Sequence, residues 1–469
     1  MSDSIALWST LISGAVALAG IGHALVYKRD PRSATLWVLV IGMLPLLGTL
    51  LYLLFGINRY QRRARRWRTD VPDKGADTPI PKAPEPLQGL AALGRQATRL
   101  PLTSGNRIEP LVNGDQAYPA MLEAIRQASH SVALTTYIFD GEDIGEAFVS
   151  ALVDAHRRGV QVRVLIDDVD VRLSRRSAYA PLKRAGVPVA AFNATLIPAR
   201  LHAVNLRNHR KILVIDGQTG FTGGTNICRP YWRPDAPELA FRDLHFRIEG
   251  PVLAHLSDCF ARDWCDTTGE TLDRSFWGER PKRLPSGGIL ARGIEAGPDE
   301  SIDRLRWVFM GALASARHSV RIWTPYFVPD QAIIAAIATA ALRGVQIDIL
   351  TPAQNDHAFV QWAAQAHYWQ VLEHGARVYQ RSGPFDHSKL MVVDEAWVCL
   401  GSANWDARSL RLNFEFNVEV YDEALSRRLA DLFDHAKSQS VRVTRAQLAR
   451  RPLVVKLRDG FARLFTPVL

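Results

Sequence analysis

Two short stretches of the sequence hold the residues best suited to chemistry. His209-x-Lys211-x4-Asp216 is followed by Gly223-Gly224-Thr225-Asn226, and His387-x-Lys389-x4-Asp394 by Gly401-Ser402-Ala403-Asn404. Both read H-x-K-x4-D-x6-G-[GS]-x-N, and two copies of that spacing in one chain are not a chance occurrence. The runs after each lysine, Ile212–Ile215 and Leu390–Val393, are apolar and strand-like. Alternation along a strand turns each histidine the same way as its lysine. Asp216-Gly217 and Asp394-Glu395 read as turns closing those strands. The glycine steps let backbone approach closely, and the asparagines can tie a loop or hold a phosphate oxygen. Two imidazoles and two ammonium groups around one cleft would supply a nucleophile, an acid for a poor alkoxide leaving group, and fixed cations for non-bridging oxygens. Metal-free cleavage of an anionic phosphodiester needs that set. Histidines sharing one phosphate site would titrate as a coupled pair.

For the motifs to meet, the fold must set equivalent residues opposite one another, and a duplication does so. Ser131–Phe139 parallels Ser319–Phe327, and Arg158-Gly-Val-Gln parallels Arg343-Gly-Val-Gln. Each strand-like run precedes an Ala- and Leu-rich helical segment, Glu146–Arg157 and Gln331–Arg343, and then a second strand. The Arg-Gly pairs read as helix C-caps. This order predicts an α/β fold of two homologous halves, 101–290 and 291–440, with mixed sheets flanked by helices. A pseudo-twofold axis between them would place the two motifs across a shared cleft.

The chain of 469 residues is long enough for two or three domains. With 47% hydrophobic and 22% charged residues it is neither a disordered polymer nor a wholly membrane-embedded bundle. Its net charge of +10 favours anionic partners: nucleic acid, acidic lipid surfaces or phosphate-bearing substrates. Cys228, Cys259, Cys265 and Cys399 form no C-x-x-C pair, which speaks against a disulfide scaffold and a cysteine zinc knuckle.

Ile5–Tyr27 and Ala34–Ile57 carry no Asp, Glu, Lys or Arg. Each reaches about 35 Å as a helix, enough to cross a hydrocarbon core. A signal-peptide core would be shorter, and no A-x-A site follows. A two-helix transmembrane hairpin over 1–58 is therefore expected, turning at Lys28–Ser33 around Pro31. Arg59, Arg62, Arg63, Arg65, Arg66 and Arg68 outnumber Lys28, Arg29 and Arg32 of the turn. That bias places the globular part in the cytoplasm and the arginines along anionic headgroups. The segment 59–100 joins this basic run to a semi-extended linker with Pro72, Pro79, Pro81, Pro84 and Pro86. In the tail, 441–469, Leu453, Val454, Leu457, Phe461, Leu464 and Phe465 recur at helical spacing beside Arg450, Arg451, Lys456, Arg458 and Arg463. Such a segment either lies in a membrane interface or docks on the protein's own surface.

The doubled motif resembles the phospholipase D superfamily, whose cleft is built from two H-x-K-x4-D segments. Together with the hairpin, the basic run and GSANWDARSLRLNFE (Gly401–Glu415), nearly the whole chain is similar to the bacterial cardiolipin synthase family. The resemblance implies two phospholipase D-like halves and transfer of a phosphatidyl group between phosphatidylglycerols through a phosphatidyl-histidine. It makes His209 the nucleophile and His387 the acid and then the base, with Lys211 and Lys389 in place of a metal and no cofactor. Asp216 and Asp394 are expected to hold the local fold. Each histidine needs a carboxylate on its other nitrogen, and the resemblance implies orienting acids in places like Asp243 and Glu415. By order along the chain, Asp243 pairs with His209 and Glu415 with His387. Asn226, Asn404 and Ser402 complete the supporting set. Gly224 departs from the family's Gly-Ser, so that half must use backbone amides or Thr225 in place of a hydroxyl. The implied partners are phosphatidylglycerol and the anionic bilayer of the bacterial inner membrane, which the chain spans more than once. Nucleic acid is not an expected partner, since a DNA phosphodiesterase has no evident need of two spans. A scaffold with a dead cleft would not need both motifs intact. Water as acceptor, or another headgroup as donor, would make the same machinery a phospholipase D or a different synthase, and spacing leaves that choice open.

Overall fold

The computed structural model describes residues 2–28, 31–56, 82–174, 176–194, 206–284, 288–299 and 301–466, and the chain divides into two compact units, Met1–Arg66 and Trp67–Leu469. In the first unit, helix Ser2–Tyr27 packs on helices Pro31–Met43 and Pro45–Leu51. Ala17, Ala24, Ile41 and Tyr52 are buried together between them, while Leu11, Leu18, Leu25, Leu39 and Leu47 are exposed. Thr10–Tyr27, of mean hydropathy 1.6, is the one helix among the described residues that is long and apolar enough to cross a membrane. The second apolar stretch is not one continuous helix as expected. Leu44 leaves helical geometry (φ −132°, ψ 74°) ahead of Pro45, whose ring cannot donate to the preceding turn. The basic run Arg59–Arg68, Arg29, and the linker as far as Pro81 lie outside the described residues.

The second unit is built on a sheet whose order displays the duplication. The first half contributes β1 (Thr103–Val112), β2 (Ser131–Thr136), β3 (Gln161–Asp167), β4 (Val189–Phe192), β5 (Ile212–Ile215), β6 (Thr219–Gly223) and β7 (Leu244–Glu249). The second half contributes β8 (Ile289–Ala296), β9 (Ser319–Trp323), β10 (Phe327–Val328), β11 (Gln346–Pro352), β12 (Arg377–Arg381), β13 (Leu390–Val393), β14 (Trp397–Gly401), β15 (Trp405–Asp406), β16 (Glu415–Tyr421) and β17 (Ser440–Val443). From the centre outward the first half runs β1-β7-β6-β5-β2-β3-β4 and the second β8-β16-β14-β13-β9-β11-β12-β17. Strand for strand these are the same order, with β17 added at one edge; β10 and β15 form a separate pair. The two sheets are not separate, because β1 and β8 pair antiparallel and fuse them into one sheet of 15 strands. The join expected at 290/291 therefore falls inside β8.

The repeated Arg-Gly pairs cap helices as their sequence suggests. Gly159 and Gly344 both sit at φ +90°, in the left-handed region. Their arginines do a second job: Arg158 donates to the carbonyls of Ile125, Arg126 and Ala128, and Arg343 to those of Leu313, Ala314 and Ala316. Each thereby satisfies the open C-terminal end of the preceding helix. The linker expected through residue 100 ends early. Pro84 and Pro86 lead into helix Gln88–Thr98, and Leu87 and Leu90 join the second half's core. At the other end, β17 ties the start of the tail to the sheet edge against β12.

Candidate active site

The motif histidines lie just before β5 and β13, the equivalent strands of the two halves, and both line one cleft of about 390 Å³. What brings them there is a backbone exchange between the halves. His209 donates its N–H to the Phe414 carbonyl at 2.9 Å, and His387 donates to the Arg242 carbonyl at 2.7 Å. Each motif is thus fastened to the segment of the opposite half that carries a carboxylate one residue later.

That exchange decides which acid serves which histidine. Glu415 Oε2 lies 2.9 Å from Nδ1 of His209, and Asp243 Oδ2 lies 3.0 Å from Nδ1 of His387. The pairing expected from order along the chain is therefore reversed: each half orients the other half's imidazole. Both carboxylates are buried, and with Nδ1 occupied in each ring, Nε2 is the nitrogen left for chemistry. The lysines are not among the residues that line this cleft; each reaches back to the backbone of its own histidine. Nζ of Lys211 donates to the His209 carbonyl and Nζ of Lys389 to the His387 carbonyl. Burial pulls Lys211 down to about 7 and Lys389 to about 8, opposed by Glu415 and Asp243.

Asp216 and Asp394 do not line the cleft. They close the far ends of β5 and β13, where Asp216 accepts from the backbone N–H groups of Ser129, His130 and Ser131, and Asp394 from those of Arg317, His318 and Ser319. Burial alone would raise Asp216, but these amides outweigh it and hold its pKa below the usual carboxylate value. Their place in the motif is structural: they pin the start of β2 and β9 to the strand that follows each histidine.

The supporting residues divide. Gly223 and Gly401 sit at φ +154° and +150°, and a side chain at either would meet the backbone of the neighbouring strand, so both must be glycine. Ser402 donates its hydroxyl to Glu415 at 2.6 Å, and Asn413 Nδ2 lies 3.3 Å from the other carboxylate oxygen. Gly224 cannot be replaced by such a serine, since a Cβ there would lie 2.3 Å from Asp243 Oδ1. Asp243 occupies the space instead, and takes the backbone N–H of Leu244 at 2.7 Å. The Thr225 hydroxyl does not supply the missing group; it is buried and has no hydrogen-bond partner among the described residues. The hydroxyl on this side belongs to Tyr231 and meets the ring rather than the carboxylate, 2.9 Å from Nδ1 of His387. Sequence reading missed this tyrosine; the only hint was that Gly224 demanded a substitute. Asn226 and Asn404 both line the cleft with their Oδ1 atoms buried and without a hydrogen-bond partner among the described residues, as does Asn413. A buried amide left open in a cleft wall is positioned for a ligand, because an unmade hydrogen bond there costs free energy. Tyr137, Ile138, Phe241, Tyr326 and Val360 give the wall apolar surface, and Arg207 and Arg408 line it as cations beside the carboxyl groups of Asp356 and Asp406.

The Tyr231 hydroxyl leads to a prediction. Tyr231→Phe is expected to lower turnover about 2- to 10-fold, the worth of one neutral hydrogen bond. The loss should disappear with a substrate whose leaving group needs no proton. An equal loss on both substrates would show that the ring merely packs.

A family model described as the phospholipase D-like domain of cardiolipin synthase matches residues 121–264 and 309–437, one match in each half, and a phospholipase D-nuclease N-terminal model matches 15–56. The major cardiolipin synthase ClsA of Bacillus subtilis is 30% identical over 461 residues, covering 94% of this chain and 95% of that protein. The cardiolipin synthase of Geobacillus kaustophilus is 31% identical over 476 residues, covering 99% and 94%. Among solved structures, phosphatidylserine synthase from Haemophilus influenzae shares the fold, with a TM-score of 0.63 at 16% identity over 81% of this chain and 100% of that one. The duplicated cleft, the paired family matches and the nearly full-length relatives agree, and the chain belongs to the cardiolipin synthases of the phospholipase D superfamily, a family of phosphatidyltransferases.

Proposed function

We propose that the protein transfers a phosphatidyl group from one phosphatidylglycerol to another, giving cardiolipin and glycerol. The observation that carries this is two imidazoles from two halves walling one cleft, each held at Nδ1 by a buried carboxylate of the opposite half. Nε2 of neutral His209 attacks phosphorus, the bond from phosphorus to the glycerol oxygen breaks, and His387 gives that oxygen a proton. Glycerol leaves, and a hydroxyl of the second phosphatidylglycerol enters. His387 takes the hydroxyl's proton while its oxygen displaces His209 from phosphorus, which restores both rings.

The electrostatics support this division of labour. Burial lowers His209 from its usual pKa, so the ring is neutral and nucleophilic near pH 7. Burial lowers His387 further, with Lys389, Lys211 and His209 adding to the effect, but its partner Asp243 is pushed up by burial to about 8. The Asp243–His387 pair therefore keeps one proton through neutral pH. An anionic phosphodiester drawn against the lysines favours that proton on the imidazole, where the leaving oxygen needs it.

A pH dependence follows. Lys211 and Lys389 must be charged to capture the phosphate, and each loses its charge as pH rises through about 7 and about 8 respectively. Rates as kcat/KM on phosphatidylglycerol micelles should fall as pH rises through that window. The decline in kcat should lie at higher pH, since bound phosphate stabilises both ammonium groups. A kcat/KM that stays flat through the window would refute the role given to the lysines.

Helix Ser2–Tyr27 and the broken apolar stretch after it form a hairpin in the cytoplasmic membrane, with the catalytic unit on the cytoplasmic side. The apolar side chains exposed on these helices and the arginine excess after them support that topology. The deciding experiment is incubation of the purified protein with phosphatidylglycerol alone. Cardiolipin with an equal amount of glycerol is expected. Phosphatidic acid as the main product would make water the acceptor and the protein a phospholipase D.

A further inference from the structure

The tail helix Leu453–Arg463 belongs to the fold by one face and is open on the other. Asp459 and Ala462 are buried against helix Ala358–Leu372. Asp459 accepts from Arg451 and Arg458, and Arg458 stacks over Trp362 at 4.6 Å. On the outer side Leu453, Val454, Leu457, Phe461 and Leu464 are 58 to 78% exposed. At about 100° per residue these five side chains fall within an arc of about 100°, with Arg458 on one flank and Lys456 and Arg463 on the other. Lys456 and Arg463 also line, with Arg445 and Arg451, a pocket of about 410 Å³ against Gln365 and Trp369.

The place of this face matters as much as its composition. Helix Ala358–Leu372 begins at the catalytic cleft, where His357 and Val360 line the wall. Its Phe359 packs on Phe465, with ring centroids 5.4 Å apart, and Phe465 in turn packs on Phe461 at 5.4 Å. The apolar stripe thus ends beside the rim of the cleft.

We propose that the helix Leu453–Arg463 is an interfacial docking element that seats the catalytic unit on an anionic phospholipid bilayer beside the cleft. Bulky apolar side chains flanked by cations suit the acyl boundary below and the negative headgroups above. The purpose of the docking, though not its existence, rests on the lipid-transfer reading of the cleft.

The test uses the full chain reconstituted in vesicles, with a nitroxide at Leu457→Cys in a Cys265→Ser background, the remaining cysteines being buried. In phosphatidylcholine vesicles containing phosphatidylglycerol, the label should be relaxed by oxygen and shielded from a water-soluble relaxant. A label at exposed Arg427→Cys should remain aqueous. Lys456→Glu with Arg463→Glu should lower the lipid-inserted fraction about tenfold or more. A water-exposed label at position 457 would overturn the proposal, and so would spin–spin broadening showing that a second copy covers the face. Equal insertion in phosphatidylcholine alone would overturn the selection by charge. Leu457→Ser with Phe461→Ser should slow turnover of bilayer phosphatidylglycerol about tenfold and leave turnover of a soluble short-chain phosphatidylglycerol unchanged. If the unmodified chain fails to convert the short-chain lipid, the reaction assigned to the cleft falls, while the label still reports on docking.

Discussion

His209→Ala and His387→Ala are each expected to lower cardiolipin formation by about 10^4-fold, and to fail at different steps. On the proposed mechanism no bond to phosphorus forms without His209. Without His387 the attack can occur, but the glycerol alkoxide leaves unprotonated and the second alcohol is not activated. An activated nitrophenyl ester of phosphatidic acid separates the two, because its leaving group needs no proton. His387→Ala should release one equivalent of nitrophenol in a burst and accumulate a phosphatidyl adduct on His209, detectable by mass spectrometry of a proteolytic digest. His209→Ala should give neither. Both variants should stay folded. Glu415 keeps the Ser402 hydroxyl and the Asn413 amide when His209 is gone, and Asp243 keeps the Leu244 amide when His387 is gone. A burst from His209→Ala and none from His387→Ala would exchange the two roles. Normal turnover in either variant would remove the two-histidine scheme altogether.

What could be read from the sequence is what local spacing encodes. The H-x-K-x4-D repeats, the Arg-Gly caps and the strand–helix–strand order depend on residues close in the chain, and the structure has each of them in place in both halves. The motif aspartates also could be assigned early, since a carboxylate closing a strand beside a tight turn has open backbone amides nearby. The cross-connections could not be read. His209 meets a carboxylate 206 residues away and His387 one 144 residues away, because the partner is set by the backbone bridges between the halves, Asn208 with Phe414 and Asp386 with Arg242. Order along the chain carries no signal for that choice. The same holds for the fusion of the two sheets through β1 and β8, and for helix Gln88–Thr98, whose core contacts lie in the second half. Hydropathy also overstates continuity: Ala34–Ile57 is uncharged throughout, yet one proline decides that it is not a single helix.

The crossed carboxylates make the sharpest test of the cleft. On the proposed mechanism the ring of His209 becomes a cation once it carries the phosphatidyl group, and the Glu415 carboxylate at Nδ1 is the charge that would stabilise it. Glu415→Gln keeps an acceptor but loses the charge, so adduct formation should slow by about 10^2- to 10^4-fold, with the natural lipid and with the nitrophenyl ester alike. Asp243→Asn should cost a similar factor on the natural lipid, because the His387 pair loses the group that holds its proton. On the nitrophenyl ester, however, Asp243→Asn should recover the burst, as His387→Ala does. If each carboxylate served the histidine of its own half, the two phenotypes would be exchanged: Glu415→Gln would be rescued by the activated ester and Asp243→Asn would not. Burst amplitudes of the two variants on one substrate therefore decide whether each half of the molecule orients the other half's catalytic ring.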